Sequence, residues 1–420
     1  MYTLYRSLTY IFFLITPIYL KLRLIKNKEH PDRYKEKISV INESRGEGFL
    51  VWFHAASVGE TLSIVPLIEE FRNQKKINKI LITTITTSSA EVLKKRFSSD
   101  SKIIHQFLPF DVPNLINKFL NHWSPNLSIF VESEIWPNLI FEIKKREIPL
   151  LLINARISKK SFSNWSLVSN FSKKIFRKFD LCIVANNESE NYLNSLGVKK
   201  IKNYGNLKFS ISKNINKKID LQLSQKLKER KVWCAASTHQ NEEILCADVH
   251  KKLKKIYSDV ITTIIPRHIS RKNSILKELS NKNLNVLTRK NENEIKENTD
   301  ILLIDSYGET NKYFNLSKFV FLGGSIIKHG GQNPIEPAML GCRIYHGRNV
   351  SNFSEIYSYL KSMNITTEIN NSDELYNCLL DEFKYKKNVD KSIIEKIEKY
   401  GEEIHNSVFG DLKEYIKIKL

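Results

Sequence analysis

The sequence predicts an α/β protein built from two similar Rossmann-like halves facing a cleft. Three observations carry this expectation. From Phe49 to about Asn206, short apolar runs alternate with amphipathic segments of helical period. Repeated βα units with short connections demand a parallel sheet covered on both faces. A charged, polar stretch from Ser212 to Arg230 then interrupts the pattern, and the alternation restarts with VWCAAS at Val232, an echo of VWFHAAS at Val51. At 420 residues the chain is long for a single core, so two domains are expected.

The segment from Ser7 to Leu20, SLTYIFFLITPIYL, is uncharged and strongly apolar. It falls short of the ~20 residues needed to span a bilayer, and no small-residue cleavage site follows it. KLRLIKNKEHPDRYKEK comes next, with seven Lys/Arg against three acids. By the positive-inside rule this holds the main body in the cytoplasm. Residues 1–37 therefore read as a membrane anchor or interfacial helix whose basic residues meet anionic headgroups. The alternative is a buried N-terminal helix of the globular domain.

The first domain is placed at 38–211, with strands at VWF, KILITTIT, IIHQFLP, NLSIFVES, PLLLINA and LCIVAN. Its pivotal stretch runs from Val51 to Glu60, where an apolar strand gives way to small residues, a helix start and a carboxylate. Ligands of open α/β sheets sit at such strand-to-helix turns, and helix N-termini offer free N–H groups. Glu60 stands where a general base could work. Ser57 to Glu60 is equally a capping box, in which the Glu side chain only closes the helix start.

Residues 212–230 read as a linker with a bridging helix. The second domain, 231–420, has strands at KVWCAAS, DVITTIIPRH, LNVLTR, DILLIDS, KFVFLGGS and CRIYHGR, then C-terminal helices.

The net charge of +21 calls for an anionic partner. The basic residues do not gather into an arm with interleaved aromatics, so nucleic acid is not expected. The five cysteines show no paired spacing, and neither they nor the histidines suggest a metal site. They suit a reducing compartment. Dinucleotide and P-loop fingerprints are missing, as is any D-x-D through which a metal would hold a sugar nucleotide.

HAASVGE at His54, ESEIWPNLI at Glu132, NARIS at Asn154, GNLKF at Gly205, ASTHQNEE at Ala236, PRH at Pro266, YGE at Tyr307, FLGGS at Phe321 and GGQNPIEP at Gly330 follow one another along nearly the whole chain. In this order they resemble the 3-deoxy-D-manno-octulosonic acid (Kdo) transferases of lipopolysaccharide synthesis. The resemblance implies a GT-B fold, with acceptor in the first domain and nucleotide in the second. It also implies an inverting, metal-independent transfer of Kdo from CMP-Kdo to a lipid A precursor (lipid IVA), without a cofactor, at the cytoplasmic side of the inner membrane.

Carried over to this sequence, the family's base falls on Glu60, and its transition-state-assisting positions fall on Glu132 and Lys208. Glu134 competes with Glu132 for that role. Donor contacts fall on Pro266 and Arg267, whose planar fork suits a phosphate. They fall also on Tyr307, Gly308 and Glu309, and on Asn333, Pro334, Ile335 and Glu336. In the last group Asn333 reads as an N-cap and Glu336 as a ribose-holding residue or a capping partner. Gln332 replaces the family's usual His, and Thr310 an apolar residue. The rival readings are a GT-B transferase with another sugar nucleotide, and a non-catalytic basic protein that binds membranes or nucleic acid.

Overall fold

The computed structural model describes residues 1–214, 220–385 and 390–417. The chain divides into two compact units, Met1–Ile211 with Gly401–Leu420, and Ser212–Tyr400.

The first unit holds strands β1 (Phe49–His54), β2 (Ile77–Thr84), β3 (Ile103–Phe107), β4 (Leu127–Val131), β5 (Leu150–Ala155), β6 (Leu181–Val184) and β7 (Ile201–Asn203). They pair in the order β3-β2-β1-β4-β5-β6-β7, every ladder parallel. The central strands are nearly continuous apolar runs because helices cover both faces. Trp52 on β1 shows why: it is fully buried, with the rings of Phe119 and Phe130 at 5.0 and 5.2 Å.

The second unit repeats the scheme with β8 (Lys231–Thr238), β9 (Val260–Pro266), β10 (Val286–Thr288), β11 (Ile301–Leu303), β12 (Phe319–Leu322), β13 (Arg343–His346) and β14 (Thr366–Glu368). Their order is β10-β11-β9-β8-β12-β13-β14, again all parallel. In each sheet the chain reverses its direction of growth at one place, between β1 and β4 and between β8 and β12. Ligands of such sheets bind outside the strand carboxyl ends at this switch point.

Three expected boundaries differ from the structure. Residues 1–37 are not a separate unit but belong to the first one. The helix Tyr2–Ile25 is longer than the apolar run and docks one face on the first unit. Tyr5 donates to Asp111 at 2.8 Å, Asn138 Nδ2 to Thr9 Oγ1 at 3.1 Å, and Tyr2 stacks on Phe141. Of the seven basic residues that follow, Arg23 and Lys37 share buried Glu29, and Arg33 pairs with Glu36. Burial needs those countercharges, so only part of the basic segment faces solvent.

The expected linker belongs to the second unit. Asp220 caps the helix Leu221–Leu227, and Arg230 donates to the carbonyls of Asp259, Val260, Lys296 and Thr299. Residues 215–219 of that linker lie outside the described residues.

Finally, residues 401–417, expected in the second domain, pack with the first unit. Lys202 and Tyr204 both donate to Asp411, and Phe409 meets Phe71 edge-on at 5.5 Å. The C-terminal helix Lys391–Lys417 is thus shared between the units.

Candidate active site

The first switch point gathers three carboxylates. Strand β1 ends at His54, and the helix Val58–Arg72 begins three residues on, with Ser57 as its N-cap. Glu60 lies at the third helical position and folds back. Its carboxylate accepts from Ala56 N–H at 2.8 Å and from Ser57 Oγ at 2.7 Å. Ser57 Oγ in turn accepts from Glu60 N–H at 3.3 Å, so the helix start is capped much as in a capping box, with Ala56 N–H in place of the N-cap amide, and both partners of the Glu60 carboxylate are neutral donors.

Strand β4 delivers the other two. Glu132 follows it directly, with the left-handed φ of +57°, a conformation uncommon for a residue with a Cβ and frequent at functional sites. Its carboxylate accepts from Lys208 Nζ at 2.7 Å and Asn154 Nδ2 at 3.3 Å. Asn154, itself at φ +50°, accepts from Leu207 N–H at 2.9 Å, so it fixes the loop that carries Lys208. Lys208 is buried. Glu134 accepts from His54 Nε2 at 3.0 Å and Trp136 Nε1 at 2.7 Å.

The electrostatics separate the three. Glu134 is partly desolvated, which disfavours its charge, yet the His54 and Trp136 bonds prevail and hold its pKa below the usual value. Glu60 has no cationic partner among the described residues. Burial first, and then the charges of Glu132 and Glu134, push its pKa up to about 7 against the opposing bonds from Ser57 and Ala56. A carboxylate poised near neutrality suits a general base.

Glu60, Glu132 and Lys208 are thus brought together, as the sequence leads one to expect. Glu134 does not compete with Glu132 but has its own partner. Sequence reasoning missed the His54–Glu134 pair and the bridging Asn154. The signals available were a His closing β1 and an Asn closing β5.

The expected donor residues all lie beyond carboxyl ends of second-sheet strands. Pro266 ends β9, and Arg267 is exposed after it. Tyr307 is 71% exposed, Gly308 adopts φ +85°, and Glu309 is engaged by Arg289 and Ser306. The short helix starts one residue later than expected, at Ile335 rather than Pro334, yet Asn333 Oδ1 still accepts from Ile335 N–H at 3.1 Å. Glu336 carries no capping bond among the described residues, and burial raises its pKa. Two further carboxylates near this edge are structural. Glu243 binds Arg271 and Thr238, and Glu242 accepts from main-chain amides of the loop after β12.

Two parallel Rossmann-like units, with a carboxylate cluster at the switch point of the first, make up a GT-B-type fold. The same fold occurs in the UDP-GlcNAc 2-epimerase of Neisseria meningitidis, at 14% identity and a TM-score of 0.57 over 89% of this chain and 100% of that one. Residues 32–211 match the family described as 3-Deoxy-D-manno-octulosonic-acid transferase (kdotransferase). The 3-deoxy-D-manno-octulosonic acid transferase of Rickettsia bellii is 35% identical over 372 residues, 87% of this chain and 88% of that protein. The enzyme of that name from Haemophilus influenzae is 32% identical over 327 residues, 77% of this chain and 76% of its own. The chain belongs to the Kdo transferase family.

Proposed function

We propose that this enzyme transfers Kdo from CMP-Kdo to a hydroxyl of a lipid A precursor, with inversion and without a metal. The observation that carries the reading is Glu60, whose carboxylate is held by two neutral donors and whose pKa is pushed up to about 7 by burial and the charges of Glu132 and Glu134. A carboxylate offers about four lone-pair sites, so two bonds at the helix start leave room for an acceptor hydroxyl. The acceptor oxygen attacks the anomeric carbon of Kdo as its proton passes to Glu60. The bond from that carbon to the phosphate oxygen breaks, and CMP leaves with the electron pair.

Glu132 faces the oxocarbenium-like charge expected in glycosyl transfer, and Lys208 the phosphate or the Kdo carboxylate. Arg267 and Pro266 hold the nucleotide phosphate side, Tyr307 and Gly308 line it, Glu309 orders that loop through Arg289, and Asn333 to Glu336 meet the ribose.

The N-terminal helix supports a membrane-embedded acceptor and a membrane location. It is long and apolar enough to cross a membrane by length and composition. Yet the docked face carries bonds to Asp111 and Asn138, which favours a helix lying in the cytoplasmic interface of the inner membrane, where anionic lipid meets exposed Lys21, Lys26, Lys28 and Lys35.

Mass spectrometry of the product from CMP-Kdo and a tetra-acylated lipid A precursor tests this. A mass increase of Kdo units is expected. No product, with thermal stabilisation by UMP or ADP but not CMP, would point to another sugar nucleotide.

A further inference from the structure

The second switch point holds an arrangement that the donor residues above do not use. After β12 the amides of Gly324, Ser325 and Ile326 turn one way, the kind of concavity that commonly binds phosphate. Here it is already filled. The Glu242 carboxylate accepts from Gly324 N–H at 2.7 Å, from Ser325 and Ile326 N–H at 3.2 Å each, and from His239 N–H at 2.9 Å. A concavity holding a carboxylate repels a second anion, so a phosphate must settle elsewhere at this edge.

Beside it stands His239, following β8. Its side chain is only 7% exposed, and its Nε2 has no hydrogen-bond partner. Buried polar atoms without partners are rare and costly. The ring of His329, from the loop after β12, lies 4.1 Å away, and that of His268, after β9, lies edge-on at 5.8 Å. Both are exposed, as is Arg267. The charged groups facing His239 are these histidines with Arg267 and Arg271. Arg271 is held by Glu243, and Glu242 is turned to the main chain. Burial, and then these basic neighbours, bring the His239 pKa down to about 4, so the ring waits neutral for a counter-anion. Gly324 keeps the approach open: at φ +67°, a Cβ there would come 3.2 Å from His239 Nε2 and 3.3 Å from Gln332 Nε2.

We propose that His239, His268 and His329 form an anion cradle that takes the phosphate of the nucleotide donor, with His239 as its floor and the other two as its rims. The proposal rests on the nucleotide-donor reading above and assigns residues that reading leaves idle.

Isothermal titration of the full-length, detergent-solubilised protein with CMP, cytidine and inorganic phosphate tests it, with melting curves as a folding control. His239→Asn should weaken CMP by about 10–100-fold, the loss of one charge-assisted hydrogen bond, and leave cytidine unchanged. His329→Asn, on the exposed rim, should give a smaller loss of the same kind and stands in should the buried variant melt early. If CMP binds both variants as it binds wild type, or if CMP and cytidine weaken equally, the cradle is wrong and the donor reading stands. If wild type binds inorganic phosphate through His239 yet no better with cytidine attached, the donor reading fails, and the histidines form a phosphate site without a nucleotide, which overturns the proposal as stated.

Discussion

Glu60 is at once a helix cap and a carboxylate whose pKa burial pushes up to about 7. Replacement by Gln keeps an acceptor for Ala56 N–H but removes the base. Transfer should fall by about 10²–10⁴-fold while the fold persists, measured as kcat against unchanged circular dichroism. The pH dependence has a definite sign. In wild type the base works only when ionised, so kcat/KM should rise with pH through about 7.

Stability runs the other way. A carboxyl whose folded pKa lies above its unfolded one binds more protons when folded, so as pH rises stability falls between the ordinary value of 4.5 and about 7 and is level above that. Glu60→Gln escapes this cost, and at about pH 8 it should melt no lower than wild type. Glu134 supplies one of the two negative charges acting on Glu60. Glu134→Gln should therefore move the acid limb of kcat/KM to lower pH, whereas an unchanged limb would show that its charge is not felt.

At the scale of elements, the strands were legible where both faces are buried, because β1, β4, β5, β8 and β9 are largely apolar runs. The outer strands β7 and β14 were not. Each is three residues long, and their residues (Ile201–Asn203 and Thr366–Glu368) are largely half-buried or exposed, so no hydrophobic pattern marks them. The candidate site was legible as motifs but not as pairs. Nothing in ESEIWPNLI says that Glu132 takes Lys208 and Glu134 takes His54, since those partners come from distant segments, the loop after β7 and the end of β1.

The N-terminal helix shows the same limit. Its apolar character was plain, but its docking depends on Asp111, which caps a second helix through Asn138 and Leu139 N–H and receives Tyr5 as well. Its other face leaves Leu4, Leu8, Ile11, Ile15, Ile18, Leu22 and Ile25 exposed, a stripe at helical spacing. Replacing Leu8 and Ile15 together by Asp should abolish sedimentation with anionic vesicles and leave the melting temperature within about 2 °C of wild type, since surface changes seldom cost stability. A large drop in melting temperature would mean that this face packs on protein.

On the scale of the whole molecule, the sequence break near Ser212 was visible as a change of composition, but the return of the chain to its first unit was not. A helical period says only that the C-terminal helix has a buried stripe, not which unit buries it. The structure gives Ile404, Val408, Leu412 and Ile416 to the first unit, all but fully buried, and Gly401 sits so close to that unit that a Cβ would meet Phe209 O at 2.4 Å. Burying such side chains stabilises by about 1.5–3 kcal/mol each, comparable in sum to the ~5–15 kcal/mol by which a domain is stable. A chain ending at Tyr400 should therefore lose its first unit rather than its second. Hydrogen exchange should show β1, β2 and β4 unprotected while β8, β9 and β12 stay protected. Loss of protection in the second sheet alone would return the C-terminal residues to the second domain, where composition first placed them.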